Sequence, residues 1–454
     1  MKCMRYVMVC VMVSCRAHYV CSQTFMRQRP MVDDSTLILF GDSCFIKNFG
    51  MVVPVVSRSV HPERLAKYFF PGCTCLRVRD ADGDIAPEWI GLQAPLGETI
   101  DSVFYIRPRQ VRYGALLALY APLVHDSYCG MRLPIITVHN NLYTGECRAG
   151  ALGIDNQVKT VTDALNQSSW QYGKWCSSCL KKTGVDDIEL CLGWRYVRER
   201  CAASPYVRVV VPTGSCPCAR YVFEPLVGSN HAGLGGGLWF SYAFYQSERS
   251  SVQFLTLLNA TYRFSACEKR SFDLCPNGNW SRYLLVVKQG AAVDPIDGIN
   301  VCTQSVNVSP RWQGEFLLNF YFKRDNYGVR LGYDLWARAA EKLCLCHSTI
   351  NQYGIFNIRE TAEDGTTASA ATINVPPINV PEDSTFRQLA LTDINLGSAG
   401  QKRSITNKFF VGVQAVVPHD RVDTHIGISG AYEKASGNSV PSSWSLWGTV
   451  AFNF

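Results

Sequence analysis

The chain has 454 residues, 47% hydrophobic, 12% aromatic and 18% charged, with a formal net charge of +7. This length suffices for one large domain or two smaller ones, and the charged fraction lies below the roughly 25% usual in soluble domains. If Lys2, Arg5 and Arg16 leave with a leader, 41 basic residues face 37 acidic ones, a net +4 too small and dispersed to support nucleic acid as a partner.

Residues 1–22 carry Lys2 and Arg5, no acidic residue, and the apolar run YVMVCVMV at 6–13. That is the layout of a secretory signal peptide, too short to span a bilayer as a helix. Val20 and Ser22 fit a cleavage site loosely. A lipoprotein-type box at Cys15 is a poorer fit because of Met12 and Arg16. Residues 23–98 hold Pro54, Pro62, Pro71 and Pro87 and are compatible with an extension, an interior plug or the first strands of the next domain. The longest later apolar stretch, 115–124, contains Pro122 and is half the roughly 20 residues a membrane helix needs.

From residue 99 onward the dominant signal is alternation. Val111, Tyr113, Ala115, Leu117 and Leu119 oppose Arg112, Gly114, Leu116, Ala118 and Tyr120. Residues 156–166 have Val158, Val161 and Leu165 at helical spacing, a surface turn of helix. In 187–197, Ile188, Leu190, Leu192 and Trp194 oppose Glu189, Cys191, Gly193 and Arg195. Phe316, Leu318, Phe320 and Phe322 form one apolar stripe, and Tyr327, Val329, Leu331, Tyr333 and Leu335 form another. The polar turn at 324–326 joins them as a hairpin. Further extended stretches lie at 104–107, 135–138, 206–211, 238–245, 251–264, 282–287, 353–358, 409–417 and 424–432. Residues 337–343 could coil briefly, and 359–404 read as a long polar loop.

These segments predict an all-β fold: an antiparallel transmembrane β-barrel over residues 99–454 with 12 to 16 strands, 14 being central, and long loops. Glycines on the charged face (Gly193, Gly328, Gly332, Gly427) relieve crowding as a sheet curls. Trp194, Tyr262, Phe264, Tyr333 and Trp444 sit near strand ends on the apolar side, as an interfacial girdle requires. By alternation, Arg112, Glu189, Arg195, Arg263, Glu315, Lys323, Arg330 and Asp334 are candidate lumen-lining residues. In that position they would tune a water-filled channel or brace its interior.

Of 20 cysteines, Cys3, Cys10, Cys15 and Cys21 belong to the leader, and the remaining 16 are compatible with disulfides in an oxidising compartment. Cys176, Cys179, Cys191 and Cys201 are too irregularly spaced for a zinc knuckle. The sequence holds no G-x-S-x-G elbow, H-E-x-x-H helix or Walker loop. The glycine run at 233–237 leads into a strand, and His231 has no partner at recognisable spacing. No enzyme, cofactor or metal is expected.

The last twelve residues, SWSLWGTVAFNF, place Trp444, Leu446, Gly448, Val450, Phe452 and Phe454 on one face. This pattern resembles the closing strand of bacterial outer-membrane β-barrels, in which a terminal Phe and alternate apolar residues form the signal read by the barrel-assembly machinery. The resemblance implies that role for Trp444, Leu446, Val450, Phe452 and Phe454. The segments TGVDDIELCLGWRY at 183–196 and YVRVVVPTG at 206–214 resemble outer-membrane proteins of the transporter and porin type, with Gly184, Asp187, Pro212, Thr213 and Gly214 matching. The cysteine content departs from most porins and resembles disulfide-linked outer-membrane proteins of intracellular bacteria such as chlamydiae. The resemblance implies export to the outer membrane of a Gram-negative cell and partners comprising outer-membrane lipid, the assembly machinery and small solutes or ions, with a homo-oligomer compatible. Three functions stand open: a channel or transporter with a polar lumen, a structural or adhesive surface protein with a plugged lumen and cross-linked loops, and a soluble secreted β-protein.

Overall fold

The computed structural model describes residues 25–453 except 32, 38–47, 71–72, 80–82, 93, 96–97, 150–157, 290–294, 347, 358–384 and 420–421. The leader and Phe454 therefore lie outside the described residues, as does most of the polar interval 359–404.

Twelve strands close into a cylinder: β1 (Phe49–Val60), β2 (Arg109–Pro122), β3 (Ser127–Asn141), β4 (Ile188–Trp194), β5 (Cys201–Val211), β6 (Gly233–Gln246), β7 (Ser250–Arg263), β8 (Arg311–Arg324), β9 (Tyr327–Arg338), β10 (Ser404–Val417), β11 (Asp423–Ala435) and β12 (Ser442–Asn453). Each pairs antiparallel with the next, and β12 pairs with β1 from Phe49↔Asn453 to Val60↔Ser442, so no edge is left open. Two short strands, Leu180–Val185 against β3 and Tyr196–Val197 against β5, bring the sheet to 14 strands. The cylinder is thus at the lower bound of the expected 12 to 16, and the whole sheet matches the central number. The wall begins at Phe49, within the stretch 23–98 for which first strands are one of the readings.

The two faces of this wall are inverted relative to a soluble protein. On β9 and β10 the outward Val329, Leu331, Phe409, Val411 and Val413 are exposed, Leu331 at 62%. The intervening Arg330, Asp334 and Lys408 are buried inside. Strand alternation alone cannot choose between a sandwich and a barrel, because both need period two. The sense of the alternation does choose: the greasy stripes point away from the interior. Aromatic side chains mark both ends of the outer surface, with Trp194, Tyr245 and Tyr327 toward one rim and Tyr262, Phe264, Trp312 and Trp444 toward the other. Inside, glycine makes room for inward rings. A Cβ at Gly332 would lie 2.0 Å from the Phe410 ring, and one at Gly193 would lie 2.4 Å from Tyr128.

Short connections between β2 and β3, β4 and β5, β6 and β7, β8 and β9, and β10 and β11 lie at one rim. At the opposite rim the connections 61–108, 142–187, 212–232, 264–310 and 339–403 are long, and they assemble a cap with its own apolar core. Strands from different connections pair there: Cys75–Arg79 with Asp101–Ile106 and then Thr144–Ala149, and Ala266–Ser271 with Thr303–Ser309 and then Lys342–Leu345. Phe70 stacks on Trp175 with centroids 5.4 Å apart and planes at 7°, Phe104 and Trp280 close around them, and the Trp175 indole N–H donates to the Tyr283 hydroxyl at 2.8 Å. A bidentate pair, Arg282 to Asp273 at 2.8 and 2.9 Å, is buried in the same core.

Several sequence expectations change here. Of the stretches expected at 104–107, 282–287 and 353–358, strands Asp101–Ile106, Leu285–Lys288 and Tyr353–Asn357 are present, but they belong to the cap and not to the cylinder, and Ser281–Tyr283 is a 3-10 turn rather than extended. Of the helix expected at 156–166, four residues, Val161–Ala164, are helical, with the Thr160 hydroxyl accepting from the Asp163 N–H. Residues 337–343 do not coil, because β9 runs to Arg338 and a cap strand starts at Lys342. No disulfide is present among the described residues: all fifteen described cysteines are free thiols, Cys44 lying outside them.

Candidate functional site in the barrel lumen

Register sets the chemistry of the inner wall. Asp334 on β9 pairs with Lys408 on β10, which pairs with Glu433 on β11, so these three inward side chains form one row. Glu315 on β8 flanks it. Across the lumen, Arg132 on β3 and Arg208 on β5 each approach the Glu189 carboxylate at 3.2 Å. Arg208 also donates to Thr261 at 2.8 Å and Asn259 at 3.2 Å. Toward the short-turn rim the inner surface becomes aromatic, with the Arg330 guanidinium 5.9 Å from the Phe410 ring and 5.6 Å from Trp447. The first strands differ again: inward Met51, Val53 and Val55 join Leu116 and Ala118 in an apolar patch.

Residues 25–31 and 33–37, the latter ending in a one-turn helix (α1, Asp34–Leu37), lie inside the wall, where Arg29, Asp33 and Asp34 meet its charges. Arg29 pairs with Glu315 at 2.8 Å, with Asp33 at 3.0 Å and with Asp334, and lies 3.6 Å from Glu433. Asp33 pairs in turn with Lys408, whose ammonium also donates to the Ser35 hydroxyl at 3.2 Å. On the far wall, Asp34 accepts from Arg132 at 2.6 Å and from Asn259 at 2.7 Å. Arg112 donates to the Arg29 carbonyl at 3.0 Å. Charges this deeply buried persist only when paired, since removing one partner of such a pair typically costs about 3–5 kcal/mol.

The same segment is tied to the cap. Arg27 donates to Glu268 at 2.6 Å, to Glu341 at 3.0 Å and to the Ser229 carbonyl at 2.5 Å. Glu268 is also held by Arg270 at 2.6 Å and by the His231 ring at 2.8 Å. Burial alone would push the Glu268 carboxyl up, but Arg27 and Arg270, with His231, outweigh it and hold it well below the ordinary carboxylate range. Glu341 is lowered in the same way, by Arg270 and Arg27 against its burial.

Of the residues singled out from sequence, Glu189, Arg263, Glu315, Arg330 and Asp334 lie on the inner wall, Arg263 paired with Asp187 at 2.9 Å. Arg112 reaches the N-terminal segment. Arg195 stands at the short-turn rim, 3.5 Å from Asp126, and Lys323 is exposed at the end of β8. Trp444, Leu446, Val450 and Phe452 all face outward, while Phe454 lies outside the described residues. His231 is buried, its ring against Glu268 in the Arg27 network. Cys191 faces the lumen, whereas Cys179 lies exposed beside His139, so the four knuckle cysteines do not converge. Sequence reasoning missed Arg132, Arg208, Lys408 and Glu433, although parity within 206–211 placed Arg208 opposite Val207 and Val209. Asp33, Glu315 and Asp334 bring carboxylate oxygens within 4.8 Å of one another, a spacing that could take a cation, and Arg29 and Lys408 already neutralise them.

No family model matches the chain, and no curated protein sequence does. Among solved structures, an outer membrane channel from Pseudomonas putida F1 is similar at 10% identity and a TM-score of 0.40, covering 92% of this chain and 100% of that one. A Pseudomonas aeruginosa FadL homologue follows at 6% identity and 0.30, covering 96% and 99%. The Pseudomonas putida toluene transporter TodX is at 7% and 0.28, covering 96% of each. At such identities and scores the likeness adds nothing to what the strand pairing establishes: this chain is a closed, antiparallel, all-β barrel.

Proposed function

We propose that the protein is an outer-membrane channel that passes small solutes or ions through its lumen, with residues 25–37 acting as a plug at rest. The observation that carries this reading is the inverted wall, apolar outside and charged inside on a sheet without edges. A closed sheet satisfies every backbone group internally, and its outer side chains suit acyl tails. In this reading residues 1–22 are the export signal, and the outward stripe of β12 is the segment read by the assembly machinery. Glu189, Arg263, Glu315, Arg330 and Asp334 then set the field felt by a solute, with Arg112, Arg195 and Lys323 at its margins.

The test is conductance across a planar bilayer. Wild-type protein should give discrete steps, and a chain lacking residues 25–37 should show a larger open fraction at the same voltage. Silence from both would overturn the channel reading. It would favour a structural or adhesive surface protein, for which the filled lumen and the loop-built cap are the supporting observations.

A further inference from the structure

Three wall carboxylates from three strands, Glu315, Asp334 and Glu433, converge on a single guanidinium, that of Arg29. The fit is incomplete. Glu433 stays 3.6 Å from Arg29 Nη1, and neither Glu433 Oε1 nor Arg29 Nη1 has a hydrogen-bond partner, though both are buried. Asp334 Oδ1 is likewise buried and unbonded. Arg29 is tethered through its backbone to a segment anchored on both sides, by Arg27 to the cap and by Asp34 to the far wall, so it cannot move to satisfy all three acids. Lys408 and Arg112 stand nearby, but Lys408 is engaged by Asp33 and Ser35 and Arg112 by the Arg29 carbonyl. An untethered cation with several in-plane N–H donors could close the gap that Arg29 leaves.

We propose that Glu315, Asp334 and Glu433 form a lumen binding site for organic cations of the guanidinium class, and that Arg29 occupies it as an internal stand-in. A planar fork of N–H donors matches carboxylates in a way a spherical ammonium charge does not. The proposal rests on the channel reading in one respect, that solute reaches the lumen. It names the class of solute that competes with the N-terminal segment.

The test is calorimetric binding to the full-length protein in detergent, using methylguanidinium and, as a cation of equal charge without N–H donors, tetramethylammonium. Arg29→Ala should bind methylguanidinium at least about tenfold more tightly than tetramethylammonium, a factor that charge-assisted hydrogen bonds can supply. Adding Glu433→Gln should abolish the preference. Equal affinity for the two cations, or a preference untouched by Glu433→Gln, overturns the proposal. If Arg29→Ala does not fold, Arg29→Lys keeps the charge without the fork. Methylguanidinium should then raise its thermal midpoint more than tetramethylammonium does, and equal shifts overturn the site. Because binding is read without conduction, a protein that binds methylguanidinium yet never conducts refutes the channel and leaves the site standing.

Discussion

The cap and the cylinder use the same amino acids in opposite ways. In the cap, Phe70, Phe104, Trp175, Trp280 and their neighbours are withdrawn from the surface, and the buried Asp273–Arg282 pair is an exception inside an aromatic core. In the cylinder, many side chains of the same kinds face outward, and the interior holds Arg29, Arg208, Asp334 and Lys408 beside an apolar patch on β1 and β2. The cap is stabilised by removing apolar surface from water, worth roughly 25 cal/mol per Å². The wall takes its order from a closed ladder of backbone hydrogen bonds, with an inner apolar patch of Met51, Val53, Val55, Leu116 and Ala118 beside its buried charges. Polarity is therefore a property of each region's surroundings, and the two meet at Arg27.

That contrast can be broken at its ends. Phe70→Ala, deep in the cap, should cost about 3–5 kcal/mol of cap stability. It should be seen as protease sensitivity of the connections, with the barrel still shifting on heated gels. If both regions unfold together, the division is wrong. Leu331→Arg, on the outer face in mid-strand, should cost about 2–4 kcal/mol in urea titrations from lipid vesicles. A change within about 0.5 kcal/mol, as for an ordinary surface position, would mean that this face meets water.

The junction sharpens the comparison. Because Glu268 and Glu341 are lowered in the folded protein, they contribute stability that is present above their unfolded value, about 4.3, and lost as pH falls through the folded one. The thermal midpoint of the cap should be flat from pH 7 to about 4.5 and fall below that, an onset set by the unfolded carboxyl value. Loss between pH 7 and 5 would mean that these two carboxylates do not set the pH dependence. The smallest effect concerns thiols. Burial, reinforced by Asp273, raises Cys302 to about 12, so maleimide at neutral pH should label the exposed Cys344 well before Cys302. Equal labelling would show that the cap core opens readily.

Period two made much of the wall legible. The β8–β9 hairpin, with its turn at 325–326, and β12 follow directly from residues that alternate in polarity. β1 was hidden because Met51, Val53 and Val55 are apolar on the inner face as well, so FGMVVPVV carries no alternation to read. Of the cap, only 104–107, 282–287 and 353–358 read as extended; Ala266–Ser271 and Thr303–Ser309 do not stand out, and nothing local says that they pair with each other. The lumen site was half legible. Alternation found Glu315 and Asp334, while their partner Arg29 lies 286 and 305 residues away, a separation over which no pattern in one sequence carries information.

The seam between β1 and β12 joins the first wall strand to the last. The ring therefore cannot shut until the whole polypeptide has arrived, and every earlier hairpin must wait with exposed edges. Residues 25–37 come before that seam. They are either enclosed as the two ends zip together or must thread afterwards past the finished cap. Such late, long-range closure belongs to the slow class of folding reactions, and it makes the order of arrival, rather than the strength of any one contact, the determinant of whether the interior is filled.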